Sequence, residues 1–255
     1  MATWTIIGAG RIGNALAERS RQKQRDVQVL TRQDDWQVLA KAGKAPILVC
    51  TRNDDLDNVL QRVPKSRHHD LVFIQNGMIR PWLARHALHE ATRGLLFFAV
   101  QTRGAPIDTG PPSPFHGRHA AAVVAELRAL DIPAEEVSAT DFAQWELEKL
   151  LWNCVFGLLC TAYDMTVGQV LEAHREEVVE LATELLDVGQ SALMADAPMD
   201  KGAVLTRLLQ YSLAIPHNRA AIREWTWRNG WFVSEASRQG RPLPLHTRLC
   251  ASVDL

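Results

Sequence analysis

The chain has 255 residues, of which 47% are hydrophobic and 22% charged, with a formal net charge of −1 at pH 7. Such values describe a globular protein long enough for one large or two modest domains. They remove any electrostatic reason to expect nucleic acid or a membrane surface as partner, and every apolar stretch is interrupted well short of a bilayer span.

The first strand, predicted at Thr3 to Ile7, runs straight into a glycine-rich turn, WTIIGAGRIG at residues 4–13. Gly8, Gly10 and Gly13 keep the Gly-x-Gly-x-x-Gly spacing, and Ile12, Ala15 and Leu16 then recur at helical spacing up to about Arg21. In a strand-turn-helix, Gly8 permits the tight turn, Gly10 admits a pyrophosphate to the backbone and Gly13 lets the helix pack on the strand. The helix amino terminus supplies unpaired N–H groups to the phosphate. The segment Gly8, Ala9, Gly10, Arg11, Ile12 and Gly13 is therefore the candidate dinucleotide seat, the alternative being a plain strand-to-helix turn. No signal-peptide pattern precedes it, so a cytoplasmic location is expected.

A second strand, Val27 to Leu30, ends where an NAD-preferring fold would present a carboxylate to the ribose. Here the residues are Thr31 and Arg32. A guanidinium pairs with a 2′-phosphate through parallel hydrogen bonds, so NADP(H) is favoured over NAD. The competing reading makes Arg32 a solvated loop residue and gives the ribose to Asp34 or Asp35.

Further strands are predicted at Ile47 to Thr51, Leu71 to Gln75 and Leu95 to Gln101, with Asn76 and Gly77 following the fourth. Ligands of open α/β sheets bind outside such carboxyl ends, although Asn-Gly is equally a common turn. Gly104 to Pro114 reads as a loop, Phe115 to His119 as a short strand and Ala120 to Leu130 as a helix. After about Ala139 the pattern becomes helical: Phe142 to Ala162, Arg175 to Ala195, Gly202 to Ser212, Ala220 to Gln239 and His246 to Val253. The expected architecture is α/β, a Rossmann-type doubly wound parallel sheet over residues 1–139 followed by an all-α domain over residues 140–255. Catalytic groups are expected from the helical part, opposite a nicotinamide held by the first.

Four cysteines lack Cys-x-x-Cys spacing and read as buried thiols, and the nine histidines form no ligand set, so no metal is expected. Eight tryptophans are many, and Trp145, Trp152, Trp225, Trp227 and Trp231 read as packing between helices. In ELEKLLWNCVFG, Lys149 and Asn153 are four residues apart and share one helix face. A lysine partly buried there is a candidate proton donor, since desolvation lowers its pKa; the alternative is a snorkelling surface lysine. Glu224, in REWTWRNG, lies on a predicted aromatic-rich helix, either buried or in an exposed pair with Arg228.

Together these elements resemble the ketopantoate reductase family (2-dehydropantoate 2-reductases), of which the chain looks like a divergent short member. The resemblance rests on the opening glycines, Asn76-Gly77, the Lys149-x-x-x-Asn153 helix, Ser212, and Glu224 ahead of Asn229-Gly230. It implies NADPH-dependent reduction of a 2-keto acid to a 2-hydroxy acid, with Lys149 as general acid and Glu224 orienting it. Asn76 would bridge cofactor and substrate, Asn153 and Ser212 would bind substrate, and Arg32 and Arg52 would contact the cofactor. A homodimer is expected by the same analogy. Gly157 stands where many relatives carry a second substrate asparagine, which implies a wider cleft or one built for a different acid. Pro216 interrupts the segment after Ser212. A non-catalytic NADP-binding or sensing protein, and a reductase for another carbonyl substrate, are the competing readings.

Overall fold

The structure, a computed structural model, describes residues 4–41, 43–194 and 197–253. Thr3, at the start of the first predicted strand, and Ala195, at the end of a predicted helix, lie outside the described residues. The chain divides into two compact units, Met1–Phe142 and Ala143–Leu255.

In the first unit, strands β1 (Trp4–Ile7), β2 (Val27–Leu30), β3 (Ile47–Val49), β4 (Leu71–Phe73), β5 (Thr92–Gly94), β6 (Ser113–His116) and β7 (Ala134–Glu136) form a seven-stranded sheet. Their order is β2-β1-β3-β4-β5-β6-β7, parallel throughout except between β5 and β6. Helices α1 (Arg11–Gln22), α2 (Val38–Lys41), α3 (Leu56–Arg62), α4 (Arg80–Arg85) and α5 (Ala120–Ala129) accompany it. Every residue of β1, β3 and β4 is buried, as a parallel sheet covered on both faces requires. Ile6, Leu48 and Val72 meet Leu16 and Ala17 of α1 and Val123 and Leu127 of α5 in one core. The alternate residues point to the opposite face, where Phe73 meets Trp82 of α4 edge-on at 5.7 Å.

Two strand expectations need correction. The apolar run Leu95 to Gln101 is not the fifth strand; β5 lies just before it, and the run contributes only an isolated bridge between Ala99 and Asp108. Gly94 allows the Phe115 ring to lie against the backbone, and a Cβ there would sit 2.1 Å from that ring. The strand at Phe115 to His119 begins earlier, at Ser113, and pairs with β7, a short edge strand without an apolar pattern.

The second unit comprises most of α6 (Ala139–Tyr163), then α7 (Val167–Ala173), α8 (Arg175–Leu193), α9 (Lys201–Ala214), α10 (Asn229–Gln239) and α11 (Pro244–Ala251). Leu147, Leu151, Val155, Leu181 and Leu185 are each fully buried, a contribution of about 1.5–3 kcal/mol apiece. Thr166 and Gln169 form a reciprocal capping box that starts α7, and Asp200 caps α9 through the Ala203 N–H at 3.2 Å. Glu184 of α8 accepts from the backbone N–H groups of Leu245 and His246 at 2.8 and 3.1 Å, which pins the start of α11. Among the described residues, no single helix is long and apolar enough to cross a membrane.

The predicted helix Ala220 to Gln239 forms only from Asn229. Glu224 has left-handed backbone angles, φ 48° and ψ 50°, which interrupt any helix and precede a 3-10 turn at Trp225–Trp227.

Candidate functional site

The glycine turn follows β1 where the strand order reverses, with β2 on one side of β1 and β3 on the other, the place where open α/β sheets bind ligands. Gly8 turns the chain at φ 100°, and a Cβ on it would lie 3.0 Å from the Cys50 carbonyl oxygen. At Gly13 a Cβ would fall 1.9 Å from the Gly8 carbonyl oxygen, so only glycine lets α1 approach so closely. Gly10 starts α1 without a side-chain cap, leaving amide donors for a phosphate. Ala9 lines the groove beside it, Ile12 packs into the core and Arg11 donates to the Gln101 carbonyl at 3.2 Å. Burial pushes the Cys50 thiol up.

The groove, about 630 Å³, includes Thr31, Arg32, Arg52, Arg62 and Arg103 in its lining. Its loop after β2 is rigid for identifiable reasons. Asp34 accepts from the Thr31 N–H and hydroxyl at 2.6 and 2.7 Å, which holds its carboxyl below the usual range. The Trp36 indole donates to the Thr31 carbonyl at 2.7 Å, and Arg62 stacks over that indole at 4.1 Å while donating to the Arg32 and Asp34 carbonyls. Asp34 is thereby a clasp of the loop, Asp35 caps the Gln37 N–H at 2.9 Å, and Arg32 is exposed in the groove lining. Donors, glycine cradle and basic groove fit a dinucleotide diphosphate. Arg62 and Arg103, which sequence reasoning missed, belong to no local motif; α3 brings Arg62 in.

Asn76 and Gly77 do form a turn, with Gly77 at φ 89°, but a firmly held one. The Asn53 amide donates to the Asn76 carbonyl at 2.8 Å, and the buried Gln75 amide donates to the carbonyls of Val49 and Thr51. The half-buried Asn76 is thus anchored at the carboxyl ends of β3 and β4. Arg52, exposed, opens the adjoining 3-10 turn.

In the helical unit, Lys149, Asn153 and Glu224 converge on Arg228. The Asn153 amide donates to the Lys149 carbonyl at 2.8 Å, and its oxygen accepts from Arg228 Nη1 at 3.3 Å. Arg228 Nη2 donates to Glu224 Oε2 at 2.7 Å. The Arg228 side chain is only 9% exposed. Burial first, and the Arg228 charge second, lower Lys149 from 10.5 to about 7. The pair Glu224–Arg228 is thus neither a buried helix face nor a solvated one: it bridges a strained turn, and it is Arg228, not singled out from sequence, whose field acts on Lys149. Beneath this turn, the buried His246 lies 3.0 Å from Asn229 Oδ1, and burial lowers it to about 4.

Three expectations change here. Ser212 is fully buried, gives its hydroxyl hydrogen to the Leu208 carbonyl at 2.7 Å and accepts from the Trp152 indole at 2.9 Å. With a single hydrogen already used, it cannot donate to a substrate and instead fixes Trp152. Gly157 opens no space, because the Ala221 carbonyl oxygen would lie 3.1 Å from a Cβ there, and Thr161 ties that segment to α6. The missing asparagine is replaced by backbone, so the wider cleft is lost. Of the five later tryptophans only Trp231 is buried, but Trp152 packs edge-on against Tyr211 of α9 at 5.4 Å and Trp225 stacks on His246 of α11 at 6.3 Å, so packing between helices holds for these and not for Trp145, which is 37% exposed.

Residues 141–255 match the family model described as the carboxyl-terminal region of ketopantoate reductase (PanE/ApbA). No curated protein has significant sequence similarity to the chain. Among solved structures, a 2-dehydropantoate 2-reductase from Methylococcus capsulatus is 17% identical with a TM-score of 0.76, covering 97% of this chain and 94% of that one. D-Mandelate dehydrogenase in complex with NADH is 13% identical with a TM-score of 0.74, covering 98% and 97%. The dimeric ketopantoate reductase of Staphylococcus aureus is 16% identical with a TM-score of 0.68, covering 98% of both chains. The class is therefore a two-part fold, a Rossmann-type sheet with a helical carboxyl-terminal unit. Within that class the chain resembles the ketopantoate reductase family, in sequence over the helical unit and in fold over its whole length.

Proposed function

We propose that the protein reduces a 2-keto acid to the 2-hydroxy acid with NADPH, Lys149 serving as general acid. The observation that supports this reading is Lys149, lowered to about 7 by burial and by the charge of Arg228, a residue that itself donates to Asn153 and Glu224. A group with that pKa is about half protonated at neutral pH and gives up its proton readily. Bound NADPH would supply hydride to the keto carbon. Lys149 delivers the proton to the carbonyl oxygen as negative charge develops there, and its own charge stabilises that oxygen beforehand. Asn153, one of whose amide hydrogens is directed to the Lys149 carbonyl, offers the other to the substrate. Glu224 holds Arg228 in place, and Ser212 acts one step back by orienting Trp152. Asn76 remains the candidate link between cofactor and substrate.

NADPH is preferred on the strength of Arg32 and the engaged Asp34. NADH, present in the D-mandelate dehydrogenase complex, is the second reading. Assembly as a homodimer belongs to the same proposal by likeness to the Staphylococcus aureus reductase. The test follows NADPH absorbance with a panel of aliphatic and aromatic 2-keto acids. Turnover of at least one acid is expected, whereas tight NADPH binding with no turnover across the panel would favour a sensing protein.

A further inference from the structure

We propose that Arg228 is the carboxylate-recognition residue of the helical unit, its buried guanidinium pairing with the acid group of the substrate. The inference takes the 2-keto acid class from the reductase reading, but the ion pair can be tested without turnover.

A guanidinium carries five N–H donors and is charged at every accessible pH. Arg228 gives one hydrogen to Glu224 and one to the Asn153 oxygen, while its buried Nε–H has no partner. A charged donor left unmatched in a buried place is unfavourable unless an acceptor arrives. The required acceptor is anionic, since Glu224 is the only carboxylate paired with Arg228 among the described residues and a further cation, Lys149, lies within range of its field. Arg228 also occupies the N-cap position of α10, whose first turn holds no acidic residue, so the helix dipole adds to the positive potential. Glu224 keeps its left-handed backbone while holding the guanidinium, a strained arrangement of the kind found where a group must be aimed. An anion docked on Arg228 would offset its field at Lys149 and favour the protonated lysine as substrate arrives.

The test uses the NADPH-loaded protein and calorimetric titration with oxamate, an unreactive mimic of a 2-keto acid, and with its uncharged counterpart oxamide. Oxamate is expected to bind at least about 10-fold more tightly than oxamide, and Arg228→Gln is expected to lose about 10- to 100-fold in oxamate affinity with oxamide unchanged. Arg228→Lys should fall between. Equal oxamate affinity in wild type and Arg228→Gln would overturn the proposal. So would equal wild-type affinity for oxamate and oxamide, a comparison that holds even if the variants fail to fold. Arg228-dependent oxamate binding in a protein that reduces no keto acid would sustain this assignment and sink the reductase reading.

Discussion

A lysine at about 7 predicts a pH profile that an ordinary lysine does not. With that pKa, Lys149 is about nine-tenths protonated at pH 6, about one-tenth at pH 8 and about one-hundredth at pH 9. For reduction at saturating NADPH, kcat/KM should therefore be level below about pH 6.5 and fall about tenfold per pH unit above 7. Initial rates of NADPH oxidation from about pH 5.5 to 9.5 measure this directly. Arg228→Gln should move the break to higher pH, because the second cause of the lowering is removed. The same group also affects stability. Between about 7 in the folded state and 10.5 in the unfolded one, the unfolded chain binds more protons, so the contribution of Lys149 to stability rises with pH through that window. Lys149→Met should accordingly raise the melting temperature more at pH 6 than at pH 10. A rate profile level to pH 9.5 would refute the burial argument.

Arg32→Ala should weaken NADPH binding by about 10- to 100-fold and NADH binding hardly at all; equal losses by fluorescence titration would remove Arg32 from a 2′-phosphate site. Gly13→Ala places a methyl 1.9 Å from the Gly8 carbonyl oxygen, and the forced retreat of α1 should cost about 1–3 kcal/mol in urea unfolding along with most NADPH affinity. Unchanged affinity would show that the turn is not the cofactor seat. His246 has a folded pKa of about 4 against 6.5, so the unfolded chain takes up its proton first on acidification and stability should fall from pH 6.5 down to 4. His246→Gln should flatten that part of the urea-midpoint profile; an identical slope would contradict the assignment.

The parts of the fold legible in the sequence were those set by local physics. A run ending in a glycine turn placed β1, a β-branched run ending at Thr31 and Arg32 placed β2, and helical periodicity placed α6 and α8. What escaped was decided by distant partners. Thr92–Gly94 is a strand because β4 and β6 flank it, whereas the more apolar Leu95 to Gln101 run leaves the sheet. Residues 220–228 have helical composition, yet Glu224 takes a left-handed turn. The same holds at the candidate site. Lys149 and Asn153 were found by their spacing on one helix, but their link to Arg228 spans 75 residues from Asn153 and has no local signature. The resemblance implied a substrate role for Ser212, and a sequence does not show that its hydroxyl hydrogen is spent on the Leu208 carbonyl.

The most direct measurement of the central claim is a single-turnover experiment in which NADPH-loaded protein is mixed with a reactive 2-keto acid in a stopped-flow instrument. Lys149→Met should oxidise NADPH about 10²- to 10⁴-fold more slowly than wild type, bind NADPH as tightly, and recover part of the rate when ethylamine is added. A variant that reacts at the wild-type rate would contradict the assignment of Lys149 as the proton donor.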